Sequence, residues 1–231
     1  MKRKFILIIW VTVFFSITLF AQDNPGEEIV INAAKSLIAT KFEQNELQDF
    51  VRYSEDPIIY VHGNFSGIQR KECIAICPMM RQTGTAGAYQ KFVMLFYKSA
   101  TGTWTKGNFA VLELDVDTMN LDHDQYPELI CKNEWAWMGE SHNKTTIYQL
   151  KGDAEKVIYS NVSEEYSMGL EAGSEASKIY EISFTDTNMD GIMEIEENLT
   201  TGIVERIDND DAKLYYKKTK RTLYLKNGMY Q

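Results

Sequence analysis

The chain has 231 residues and a formal net charge of −9, enough length to bury one domain-sized core and too much negative charge for a protein that tracks a phosphate backbone. Nucleic acid is excluded as an expected partner, while divalent cations and a well-solvated surface are favoured. Its three cysteines show no metal-binding spacing.

Lys2, Arg3 and Lys4 precede an uncharged apolar run from Phe5 to Phe20, followed by Ala21 and the polar Gln22-Asp23-Asn24-Pro25-Gly26. Basic, apolar, small and then polar is the order of a secretory signal peptide. As a helix the apolar run rises only about 24 Å, short of a hydrocarbon core of about 30 Å. The pattern therefore predicts cleavage after residue 21 and no stable membrane span afterwards. The mature chain, its charge taken from −9 to −12 by loss of those three basic residues, is expected in the periplasm, at the cell surface or secreted.

Residues 22–56 read as an N-terminal helical segment. Ile29, Ala33 and Leu37, with Ala34 and Ile38 beside them, form an i, i+4 stripe over about 28–43. From residue 57 to 231 the signals are those of strands. Lys91–Lys98 is a short apolar run ending at the turn Ser99-Ala100-Thr101-Gly102, and Phe109–Asp117 alternates. Thr145–Leu150 and Lys156–Ser160 flank Lys151-Gly152-Asp153 as a hairpin, and Tyr180, Ile182 and Phe184 alternate again. Lys213–Lys217 and Thr222–Leu225 flank a basic cluster read as a solvated hairpin tip, and Asn227-Gly228 signals a further tight turn. Cys73 and Cys77 stand four apart in a strand-like run, about 13 Å and too far to bond each other. A bridge from either to Cys131 and three buried thiols both remain open.

One segment recurs. Asn120, Asp122, Asp124 and Glu128 occupy positions 1, 3, 5 and 9 of a stretch that runs into apolar residues, and Asp186, Asn188, Asp190 and Glu194 do the same. A weaker copy starts at Asn64 and ends at Glu72, with Ser66 and Ile68 at positions 3 and 5. In a curled loop alternate side chains face inward, and Ca²⁺ takes about six to eight oxygens. Carbonyls of Tyr126 and Ile192 at position 7 would add to the two donor sets. Gly191 suits the sharp turn at position 6, where the earlier loop has Gln125. Ca²⁺ is thus expected at 186–194, more weakly at 120–128, and not at the first copy, where Ile68 cannot coordinate. An EF-hand is disfavoured because residues 179–184 alternate as a strand and Pro127 and Cys131 fall at positions 8 and 12 of the second copy.

These segments resemble FG-GAP or VCBS-type repeats, the units of integrin-α-like β-propellers. The resemblance covers roughly 58–200 and implies a mainly-β, antiparallel repeat, a small or incomplete propeller of three to four blades with one N-terminal helix. It implies a non-enzymatic binding or structural module with Ca²⁺-stabilised loops, an unidentified protein or carbohydrate partner, and self-association as one way to complete a ring. The competing reading is a secreted hydrolase or lyase on the same scaffold, with His142 beside Glu140 and Ser141 as the least implausible base. Trp135 and Trp137 share one face of a strand, which favours packing between sheets over a platform for carbohydrate or peptide.

Overall fold

A computed structural model describes residues 24–41, 50–52, 55–81, 88–113, 115–124, 126–137, 139–168, 170–208 and 211–231. The signal-peptide segment 1–21 lies outside the described residues. The chain divides into two compact units: residues 1–63 with 70–111, and residues 64–69 with 112–231.

In the first unit, helix α1 (Glu27–Lys41) carries Glu27 and Glu28 in its first turn, where carboxylates complement the exposed N–H groups. Its buried stripe is Val30, Ala34 and Ile38, whereas Ile29 is exposed. The helical period is as expected, but the inward face is turned by one residue. The helix packs on β1 (Phe50–Arg52) and β3 (Glu72–Arg81). β1 and β2 (Ile59–Gly63) pair antiparallel with two successive stretches of one edge of β3. β4 (Ala88–Lys98) and β5 (Trp104–Glu113) continue the sheet beyond β3. Residues 73–77 and 92–96 are all buried. Cys73 and Cys77 lie on β3 as a strand, and Cys73, Cys77 and Cys131 are buried thiols not joined in a disulfide. Burial pushes the Cys73 thiol up to about 12.

The second unit is an antiparallel meander of seven strands in chain order: β6 (Asp115–Met119), β7 (Glu128–Trp137), β8 (Glu140–Gln149), β9 (Lys156–Tyr166), β10 (Glu175–Thr185), β11 (Glu194–Asp208) and β12 (Asp211–Leu223). Among the described residues β9 and β10 pair only at Ser177–Glu165 and Lys178–Glu164, so two wings diverge from that junction. Leu121, Ile130, Ile147, Ile158 and Tyr159 of one wing cluster with Ile195 and Leu223 of the other and with Tyr230. Tyr230 belongs to a small hairpin, β13 (Leu225–Lys226) and β14 (Met229–Tyr230), whose turn residues Asn227 and Gly228 have φ of 53° and 69° as a type I′ turn requires. The basic cluster 217–221 is no hairpin tip. It lies within β12, one continuous edge strand, where lysines discourage edge-to-edge pairing.

The mainly-β class and the N-terminal helix stand, but the propeller of three to four blades does not. The three copies precede β3, β7 and β11, a spacing of four strands. A blade boundary would therefore fall between β10 and β11, yet those strands pair from Thr185–Glu194 to Glu175–Ile203. Hydrogen bonding runs through the place where blades would separate, and the sheets are open.

Candidate functional site

Each copy proves to be a hairpin loop of eight residues: 64–71 closed by Gly63–Glu72, 120–127 closed by Met119–Glu128, and 186–193 closed by Thr185–Glu194. Position 4 is left-handed in all three, at Gly67, His123 and Met189 with φ of 77°, 63° and 62°. Position 9 is a buried glutamate that opens the outgoing strand. Glu128 Oε2 accepts the Leu121 N–H at 2.8 Å. Glu194 Oε2 accepts the Thr187 N–H at 2.6 Å and its hydroxyl at 2.7 Å. The carboxylate thus reaches back seven residues to close its own loop. The expectation of strands on both sides of 186–194 holds, so this loop is not an EF-hand.

Within the second unit the loops lie against one another. The Tyr126 ring approaches Gly67, where a Cβ would stand 3.3 Å from it, and the His123 ring lies against Gly191. Met193 N donates to Leu121 O at 2.8 Å, and Tyr230 Oη donates to Met193 O at 2.7 Å. His123 is accounted for by this packing.

The donor atoms are arranged differently in the two acidic loops. Oxygens of Asp122, Asp124 and Glu128 all lie within 4.8 Å of one another, the one such acidic group among the described residues. Asp122 Oδ1 accepts the Asp124 N–H, and Asp124 Oδ1 accepts that of Tyr126. Gln149 Nε2 bridges Asp122 Oδ2 at 3.0 Å and Glu128 Oε1 at 3.3 Å, and Lys151 Nζ reaches Asp124 Oδ2 at 2.7 Å. Burial, with Asp122 close by, pushes Glu128 up to about 7. Burial and then Asp124 raise Asp122 as well. Burial also opposes ionisation of Asp124, but the Lys151 ammonium and the Tyr126 N–H outweigh it and hold Asp124 below the usual range. Asn120 at position 1 is exposed.

In 186–194 the carboxylates are turned to the loop's own donors. Asp186 accepts the N–H groups of Asp190 and Gly191, Asn188 Oδ1 accepts that of Asp190, and Asp190 Oδ1 accepts that of Ile192. The Asn188 amide donates to Asp190 Oδ2 at 3.0 Å. The Asn188 and Asp190 bonds, two residues on, are Asx-turn bonds, and Asp186, Asp190 and Glu194 form no group of converging carboxylates. Gly191, at φ 89°, fits the turn expected of position 6.

His142 sits on β8 with its ring stacked on Trp135 at 4.9 Å and Glu140 Oε2 3.6 Å from its Nε2. Trp135 is an exposed residue of the sheet surface, not the inter-sheet packing expected of it. Spacing alone hid Gln149 and Lys151, the cationic and amide partners of the Asp122–Asp124–Glu128 group. Lys151 was legible only as a turn residue.

Comparison with family models, with curated proteins and with solved structures gave no match. The FG-GAP/VCBS kinship is therefore withdrawn together with the propeller. The Ca²⁺-propeller module and the hydrolase or lyase on such a scaffold both lose their basis. What the loops share is a hairpin closure, and what the geometry supports is a carboxylate group of hard-cation type at 120–128.

Proposed function

We propose that the second unit is a divalent-cation-binding module, with the ion held by Asp122, Asp124 and Glu128 at the start of β7. The observation that carries this is the convergence of three carboxylates within 4.8 Å, two of them raised in pKa above their ordinary values. Such crowding costs free energy until a positive charge relieves it. Oxygen-only donors suit a hard cation, Ca²⁺ first among those to test, and Asn120 and the Tyr126 carbonyl are the remaining candidate ligands. The loop 186–194, with Asp186, Asn188, Asp190, Glu194 and the Ile192 carbonyl, is the weaker candidate because its carboxylates already hold the loop together. The ion's role is to brace the loop cluster. The basic-apolar-small order at 1–21 supports an exported protein, where millimolar Ca²⁺ makes even weak sites relevant. Among the described residues no helix is long and apolar enough to cross a membrane.

The test is calorimetric titration of the chain with Ca²⁺ and with Mg²⁺, alongside melting in chelator. An ion at a hundred times its Kd adds about 2.7 kcal/mol. Asp122→Asn should abolish the shift. Lys151→Ala should tighten binding by several-fold, because the ammonium on Asp124 competes with the ion. A melting temperature that is the same in chelator and in millimolar Ca²⁺ overturns the reading. Binding lost in Asp190→Asn but kept in Asp122→Asn moves the ion to 186–194.

A further inference from the structure

The second unit also has a groove on the sheet, lined by residues of β7, β8, β9, β10 and β12. Ala136, Ser141, Glu165, Ser177, Gly202 and Tyr216 are successive partners across six strands. Directly opposed residues share a face of an antiparallel sheet, so this row is one line of side chains. Ala136, Ser141, Ser177 and Gly202 are small, and the line becomes a floor. Leu214 and Tyr216 rise around it, and the cavity has a volume of about 580 Å³, within the range of small-molecule sites.

Gly202 makes the floor possible. A Cβ there would overlap Ser177 Oγ and stand 3.1 Å from Tyr216 Cε1. A strand glycine of this kind marks close approach. Ser177 is 7 % exposed and lines the groove.

The chemistry of the lining selects the ligand. Glu165 accepts hydrogen bonds only, the serine and tyrosine hydroxyls do either, and among the described residues no lysine, arginine or amide lines the cavity. An anion is disfavoured, and a donor-rich cation is matched by the Glu165 carboxylate, by Ser177 and by the Tyr216 face. We propose that the groove binds an aliphatic amine in its ammonium form, with Glu165 as the counter-charge on the floor and Ser177 accepting from the ammonium.

The experiment is calorimetry at low salt with 1,5-diaminopentane, 1,5-pentanediol and maltose as probes. The diamine should bind, with the diol and maltose at least tenfold weaker. Glu165→Gln, at an exposed position, should weaken the diamine at least tenfold, while the charge-matched control Glu155→Gln should not. Gly202→Ala, which fills the floor, should also weaken it, with folding checked by melting. No diamine binding, unchanged affinity in Glu165→Gln, an equal loss in Glu155→Gln, or a diol or maltose bound as tightly as the diamine each overturns the assignment.

Discussion

Glu197 is the buried charge on which the second unit's wings most depend. It sits on β11, 1 % exposed. Its Oε2 accepts the Tyr159 hydroxyl at 2.8 Å and the Asn161 amide at 2.7 Å, both from β9, and its Oε1 accepts Arg221 Nε from β12. Replacement by leucine keeps the volume and removes every acceptor. A buried hydroxyl and a half-buried amide of the opposite wing then lose their partner, at about 1–3 kcal/mol each, against about 1–2 kcal/mol recovered by the apolar side chain. The ion pair adds little, because the Arg221 side chain is 60 % exposed and solvent screens it. Glu197→Leu should therefore cost about 3 kcal/mol in urea unfolding, and Glu197→Gln, which keeps one acceptor, about 1 kcal/mol. Burial pushes the Glu197 pKa up, but the bonds from Arg221, Tyr159 and Asn161 prevail and the net shift is downward. A depressed carboxylate contributes stability above its unfolded value and loses it as pH falls through the folded one. The gap between the native chain and Glu197→Gln should thus narrow below about pH 4.5. A Glu197→Leu chain within 1 kcal/mol of the native one, or a gap that widens in acid, refutes the bridge between wings.

Glu128 should show the opposite slope. With chelator present its pKa of about 7 means that stability is greatest below its unfolded value and falls as pH rises through 7, by at most about 3 kcal/mol; the difference curve against Glu128→Gln isolates it, and a flat difference from pH 5 to 8 contradicts the buried, crowded carboxylate. Gly202→Ala should destabilise by about 1–2 kcal/mol through overpacking, and adding Ser177→Ala should return most of that in thermal melts. A neutral Gly202→Ala removes the close approach of Ser177 and Tyr216 to the β11 backbone.

Much of the local structure was legible because it is written within a few residues. Val30, Ala34 and Ile38 announce a helix by period, though the inward face needed β3 to select it from the neighbouring Ile29-Ala33-Leu37 line. Asn227-Gly228 announces its hairpin because both positions need positive φ. The basic cluster 217–221 misled because solvated charge suits an edge strand as well as a turn, and only the pairing of β12 with β11 along its length decides between them. Glu197, Tyr159 and Asn161 meet across wings 36 to 38 residues apart, which no short window contains. The groove was equally hidden, since its floor takes one residue from each strand.

The recurring acidic segment shows where that boundary falls. Its residues encode a hairpin: a left-handed position 4 and a glutamate at position 9 that ties the N–H at position 2, as at Leu121 and Thr187. This code is complete within nine residues and says nothing about which strands pair beyond it, so a four-strand period coexists with a seven-stranded meander. Cation chemistry is a further layer over the same hairpin. At 186–194 the Asn188 amide and the loop N–H groups spend the oxygens on the turn itself. At 120–128, Gln149 and Lys151, from the end of β8 and the turn after it, bring donors to Asp122, Asp124 and Glu128 from outside, and an ammonium that arrives from outside is one that an ion can displace.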